Sequence, residues 1–110
     1  FTPNGIRLGD DKEGIMRNDI FEARRDPARK AAADEQIKDR SSWSPLKIEQ
    51  QKWYAVAIEL VEDRMRVSLD GKPVGYLQSP GLAHETKTSF HFTVSDSAIE
   101  FDDVHIWKAR

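Results

Sequence analysis

With 110 residues the chain is long enough for one domain. Its 17 Lys and Arg stand against 19 Asp and Glu, and this near balance lacks the basic footprint of a nucleic-acid binder. The absence of cysteine excludes disulfides and thiol chemistry, and no apolar run is long enough to span a bilayer.

The first ten residues are strand-like, with a turn signal at Pro3-Asn4-Gly5. They read as the end of one strand, a turn and a short strand, so the chain is expected to be the C-terminal part of a larger domain. Residues 11–42 are charged and Ala-rich, and a helical insertion is predicted at about residues 18–40. Asn18 or Asp19 is the expected first cap. Asp26-Pro27 is a second start signal, an acid followed by proline at the first helical position. The run Ala28 to Asp39 has high helix propensity. Its apolar face is thin, little more than Ala28, Ala31, Ala32 and Ile37, which predicts a largely solvated element lying between two strands. It is either a surface excursion or the rim of a binding site.

Residues 46–108 read as β throughout. Leu46 to Glu49 is a short strand. Tyr54, Val56, Ile58 and Leu60 alternate with smaller or polar residues, and Met65, Val67 and Leu69 resume the period of two after Glu62-Asp63. Asp70-Gly71 follows, the pair favoured in a tight type I′ hairpin turn because both central residues need positive φ. Such a meander cannot bury its apolar face alone and implies a larger antiparallel structure. Thr88 to Val94 places Phe90, Phe92 and Val94 on one side. Ile99 and Phe101 then face inward, while Val104 and Ile106 carry the opposite parity, so a β-bulge is expected at Asp102-Asp103. A Pro-Gly loop, Ser79 to Lys87, separates the meander from these strands.

Trp53, then Met65-Arg66-Val67-Ser68-Leu69-Asp70-Gly71-Lys72-Pro73-Val74-Gly75-Tyr76, then Ser79-Pro80-Gly81-Leu82-Ala83-His84, then Phe101-Asp102-Asp103-Val104, with Ile106-Trp107, form one pattern. It resembles the C-terminal half of a bacterial concanavalin A-like family, the 3-keto-disaccharide hydrolase type (domain of unknown function 1080). Arg7-Leu8-Gly9-Asp10-Asp11 and the charged insertion resemble one uncharacterised branch of that family. The resemblance implies an all-β, antiparallel, jelly-roll-like sandwich in an extracellular or periplasmic protein. It also implies a carbohydrate partner, and N-terminal strands supplied by the same parent. Two functions follow: a glycoside-cleaving hydrolase, or a non-catalytic carbohydrate-binding or adhesion module of a larger exported protein.

His84 and Lys87 are the catalytic candidates. His84 titrates near neutral pH and can act as acid or base, and Lys87 can bind an anionic or carbonyl-bearing sugar. The bland alternative is a His that caps its loop and a solvated Lys. Arg66, with His91 and Glu100 on adjacent strands, is expected on an outward face that can meet sugar hydroxyls. Ordinary cross-strand charge pairs are the alternative. Trp43, in the Ser-rich loop Ser41 to Pro45, is the tryptophan expected to be most exposed and able to stack on a pyranose ring. Glu100-Phe101-Asp102-Asp103-Val104-His105 only approaches the paired-carboxylate signature of a glucanase, which needs two acids at a set separation. Adjacent acids at Asp10-Asp11 and Asp102-Asp103 point to opposite faces of a strand, so no metal is expected, and no cofactor.

Overall fold

The computed structural model describes residues 1–85, 87, 89–95 and 98–108. The chain folds chiefly as β-structure, in two antiparallel sheets with two short helices. Strand β1 (Gly5–Gly9) pairs with β2 (Ser41–Pro45), with Gly5 opposite Pro45 and Arg7 opposite Trp43. The second sheet is a meander of β3 (Val56–Val61), β4 (Arg64–Leu69) and β5 (Lys72–Gln78).

The predicted insertion lies between β1 and β2 as helix α1 (Asn18–Arg24), helix α2 (Lys30–Gln36) and a 3-10 turn at Lys38–Arg40. Its caps differ from expectation. Arg17 precedes α1 without a side-chain cap, and its guanidinium instead grips Asp19 at 2.7 and 2.9 Å. Asp26 does set a turn, accepting the Ala28 N–H at 3.0 Å, but regular helix begins only at Lys30. Ile20 and Ala33 are the buried residues of the two helices, whereas Ala28, Ala31 and Ala32 are exposed. Beside that small apolar contact one ion pair links the helices: Asp34 on α2 takes Arg24 of α1 at 2.7 Å and also pairs with Lys30 within α2. The Lys30 and Arg24 hydrogen bonds hold the Asp34 carboxyl below its usual range.

The Ser-rich segment expected to be a loop is strand β2. The strand expected at Leu46 to Glu49 is instead an irregular continuation of β2, outside the paired ladder. Leu46 and Ile48 still donate to the Asn4 and Pro3 carbonyls at 3.0 Å. Proline is depleted in strands and serine is no strand former, but β1 supplies a partner edge and Ile6 and Leu8 supply the apolar face. Ser42, opposite Leu8, has its hydroxyl oxygen buried and without a hydrogen-bond partner.

The Asp70-Gly71 turn is as predicted, with φ of 50° and 82° between β4 and β5. Asp70 closes it against the start of β3, since its N–H donates to the Ala55 carbonyl at 2.7 Å and its Oδ1 accepts the Ala55 N–H at 2.9 Å. A Cβ at Gly71 would meet open space, so replacing it tests the backbone alone. Gly71→Ala is expected to lower stability by about 1 kcal/mol, the strain of an L-residue in the left-handed region. Urea unfolding with an unchanged m-value is the measurement, and a neutral result would reject the turn type.

One core joins the sheets. Ile6 and Leu8 of β1 meet Val67 and Leu69 of β4, Leu77 of β5 and Leu82 beyond it, with Leu46, Ile48, Tyr54, Leu60, Met65 and Val74 packed around them. Both β1 and β2 pack against β5. Of the meander residues predicted inward, Val67 and Leu69 are buried and Tyr54, Leu60 and Met65 partly so, but Val56 and Ile58 are half exposed. Those two share a face with Leu69 and Val67, their partners in register. Their exposure comes from the narrow two-stranded ribbon, which covers the β5 side of the meander.

The strands expected after Thr88 are corrected. Thr86, Thr88, Asp96 and Ser97 lie outside the described residues. Among those described, 89–95 and 98–108 contain no strand. Phe90, Phe92, Val94, Ile99 and Phe101, all predicted inward, are exposed. No bulge forms at Asp102-Asp103; Asp103 instead bends the chain in the left-handed region, φ 53°. Alternation describes which side chains share a face, but a strand also needs a paired edge.

Candidate functional site

Trp43 is set in paired backbone. It stands opposite Arg7 on the outward side of the β1–β2 ribbon, where the small residues Gly5 and Gly9 share its face. Its indole lies across Gly5: a Cβ there would sit 2.8 and 2.9 Å from Cζ2 and Cη2 of the ring. Glycine therefore provides the space that lets the ring rest on the ribbon. Trp43 is 51% exposed, less than Trp53 at 63% and Trp107 at 80%, so it is not the most exposed tryptophan. It is the one held on a strand. An open hollow lined by Pro3, Asn4, Pro45, Leu46, Lys47 and Ile48 adjoins the same end of the ribbon.

The remaining candidates do not converge on this face. Arg66 lies on the outward side of the meander, between Glu59 on β3 and Tyr76 on β5 in register. The shared core separates that side from Trp43, so the two cannot grip one small sugar. His84 follows a 3-10 turn, Pro80–Ala83, and is exposed. Lys87 is drawn to it, with Nζ donating to the His84 backbone carbonyl at 3.1 Å. That contact ties the loop together and occupies the ammonium with a main-chain oxygen. His91 and Glu100 are exposed in the segments without strands and do not extend the Arg66 face. The near-glucanase run is also local: Asp103 Oδ1 sits 2.7 Å from His105 Nε2, and His105 stacks on Trp107.

The most organised polar cluster has no counterpart among the sequence-predicted sites. Asp10, at the end of β1, is only 4% exposed. Its carboxylate accepts the Ser79 hydroxyl at 2.5 Å, the Gly81 N–H at 2.8 Å and the Glu13 N–H at 3.1 Å. Its own N–H donates to the Arg40 carbonyl at 2.8 Å. Burial alone would push this carboxyl up. The hydrogen bonds from Ser79, Glu13 and Gly81, with the Arg40 charge, outweigh burial and hold it below the usual carboxylate range. The cluster clasps β1, both ends of the insertion and the loop after β5. No local spacing announces a pair 69 residues apart; the only hints are an acid at a strand end and a Ser-Pro-Gly corner. With three protein donors turned on it, this is a structural carboxylate.

Among the described residues no group of three His, Cys, Asp or Glu is placed to hold a metal ion. No helix among them is long and apolar enough to cross a membrane. Fold and site define an antiparallel β-protein with a helical excursion and an exposed aromatic platform. Compared with protein-family models, curated proteins and solved structures, the chain matches none.

Proposed function

We propose that this chain is a non-catalytic carbohydrate-binding module of a larger exported protein, and that its two sheets are the layers of a concanavalin A-like sandwich. The observation that carries the reading is Trp43, an exposed indole laid across Gly5 and flanked by Arg7. A flat apolar ring meets the C–H face of a pyranose, while Arg7 and the ring N–H can donate to hydroxyls at its edge. A shallow platform of this kind favours weak, reversible retention on a polymer over enclosure of a small molecule. The family resemblance supports the sugar class and the exported setting.

The competing hydrolase reading places acid–base chemistry on His84 beside Lys87, supported by their shared loop. The two readings separate in a pair of variants. Trp43→Ala is expected to reduce retention on polysaccharide affinity gels about tenfold, as loss of one stacking contact of about 1.4 kcal/mol implies, with the melting temperature nearly unchanged. His84→Ala is expected to leave retention intact. Measurable glycoside turnover that disappears in His84→Ala and persists in Trp43→Ala would overturn the binding-module assignment.

A further inference from the structure

In the helical insertion Arg17, Arg24, Arg29, Lys30 and Lys38 each hold a carboxylate. The outward face of the β1–β2 ribbon is different. Exposure alternates along β2 and past its end, so Trp43, Pro45 and Lys47 are exposed while Ser44, Leu46 and Ile48 are half-buried. Arg7 joins that face from β1, opposite Trp43, and is the only charged residue in either strand. Among the described residues neither Arg7 nor Lys47 makes an ion pair. Nor is Arg7 stacked on the indole, since the cation–ring contacts among those residues are Arg25 on Phe21 and Lys52 on Tyr54. The neighbouring acids leave the two cations free. Asp10 is buried in its clasp, Glu49 pairs with Lys52 at 3.8 Å, and Asp11 sits beside Gly9 without pairing with Arg7.

We infer that the ligand of the Trp43 face is an acidic polysaccharide built on uronic acids, with Arg7 and Lys47 taking carboxylates on either side of the stacked sugar. This rests on the carbohydrate-binding reading and names its substrate class. The indole lies across Gly5, whose partner in register is Pro45. The ring therefore runs toward Pro45, and the two side chains form one apolar stretch between the cations. Arg7 stands about 5 Å across the ladder from Trp43, and Lys47 about 13 Å along the extended chain. Such a separation calls for carboxylates on different sugar units, a repeating charge that a polyuronate carries and a neutral glycan lacks. The planar fork of Arg7 matches a planar carboxylate with two parallel N–H donors, whereas Lys47 sets a point charge at the hollow it lines.

Affinity electrophoresis tests this on polygalacturonate and alginate, on their carboxyl-reduced forms, and on dextran sulfate and single-stranded DNA. At low salt the polyuronates are expected to retain the chain about tenfold more than the reduced polymers, and added salt is expected to shrink that difference by screening. Arg7→Gln and Lys47→Gln are each expected to lower polyuronate retention about threefold, the scale of one exposed ion pair, and about tenfold together. Arg64→Gln removes the same charge from the outward side of the meander, behind the core, and is expected to change nothing. Equal retention on polyuronate and reduced polymer would overturn the acidic ligand and leave the carbohydrate reading standing. Retention on neither would sink both. An equal response in Arg64→Gln would reduce the effect to general charge attraction and overturn the assignment, as would retention on dextran sulfate or DNA that matches the polyuronates.

Discussion

Asp10→Ala is expected to lower the free energy of unfolding by about 3–4 kcal/mol. The substitution removes the acceptor of three hydrogen bonds while leaving their donors in place. Ser79 is 1% exposed, so its hydroxyl loses its partner where water cannot replace it. A hydrogen bond to a charged acceptor contributes about 1.5–3 kcal/mol, and a buried donor left unpaired adds its desolvation penalty. Against a typical domain stability of about 5–15 kcal/mol, this is a large fraction. Denaturant unfolding read by tryptophan fluorescence measures it. A loss below about 1 kcal/mol would mean that water satisfies the donors and that the clasp does not hold the sheets together.

The same carboxylate has a signature in pH. Its folded pKa lies below the unfolded value of 3.8. The folded state therefore favours the ionised form, and the stabilisation is fully present above pH 3.8. It is lost as pH falls through the lower folded pKa, because the carboxyl must then take up a proton and surrender its acceptor role. Asp10→Asn keeps the shape and cannot ionise. Its stability curve is expected to be lower at neutral pH and flatter than that of the parent on the acid side. Asp26 and Asp34 are also held low by their partners, so part of the acid slope remains in the variant.

Sequence legibility follows the range of the interactions. The Asp70-Gly71 turn, the meander around it and the helical insertion are readable because each is specified within a few residues. The caps of α1 and α2 are less so, since the Arg17–Asp19 and Arg29–Asp26 ion pairs compete with the backbone for the acids at the helix starts. Strand β2 is hidden because nothing in Ser41 to Pro45 beyond Trp43 is intrinsically strand-forming; its edge comes from β1, on the far side of the insertion. The aromatic runs beyond Thr88 err in the other direction. Their period of two is clear, yet alternation names a face without providing what covers it. For the candidate site, Trp43 stands out by its polar surroundings, whereas its seat on Gly5 depends on cross-strand register. His84 and Lys87 do share one loop, but their contact runs through a backbone carbonyl. The Asp10 clasp is invisible in sequence because its members are distant in the chain and ordinary in type.

Gly81→Ala is expected to lower stability by about 3 kcal/mol, and in a way that identifies its cause. A Cβ at position 81 would overlap the Asp10 carboxylate. Either the carboxylate swings away and releases the Ser79 hydroxyl, or the loop retreats and withdraws the Gly81 N–H. Both outcomes open the clasp, so the variant acts through Asp10 and not through lost contacts of its own. The consequence is strong non-additivity. In an Asp10→Ala background the obstructing carboxylate is gone, and Gly81→Ala is expected to cost about 1 kcal/mol or less. The double variant should then be about 2 kcal/mol more stable than the sum of the single losses implies, within the range seen for residues in direct contact. Additive losses would indicate that position 81 resists a side chain for a reason unrelated to Asp10. Sub-additive losses would establish that the end of β1 and the loop after β5 are held by one buried carboxylate. The Pro80–Ala83 turn, and the His84 loop it launches, would then take their position from that single group.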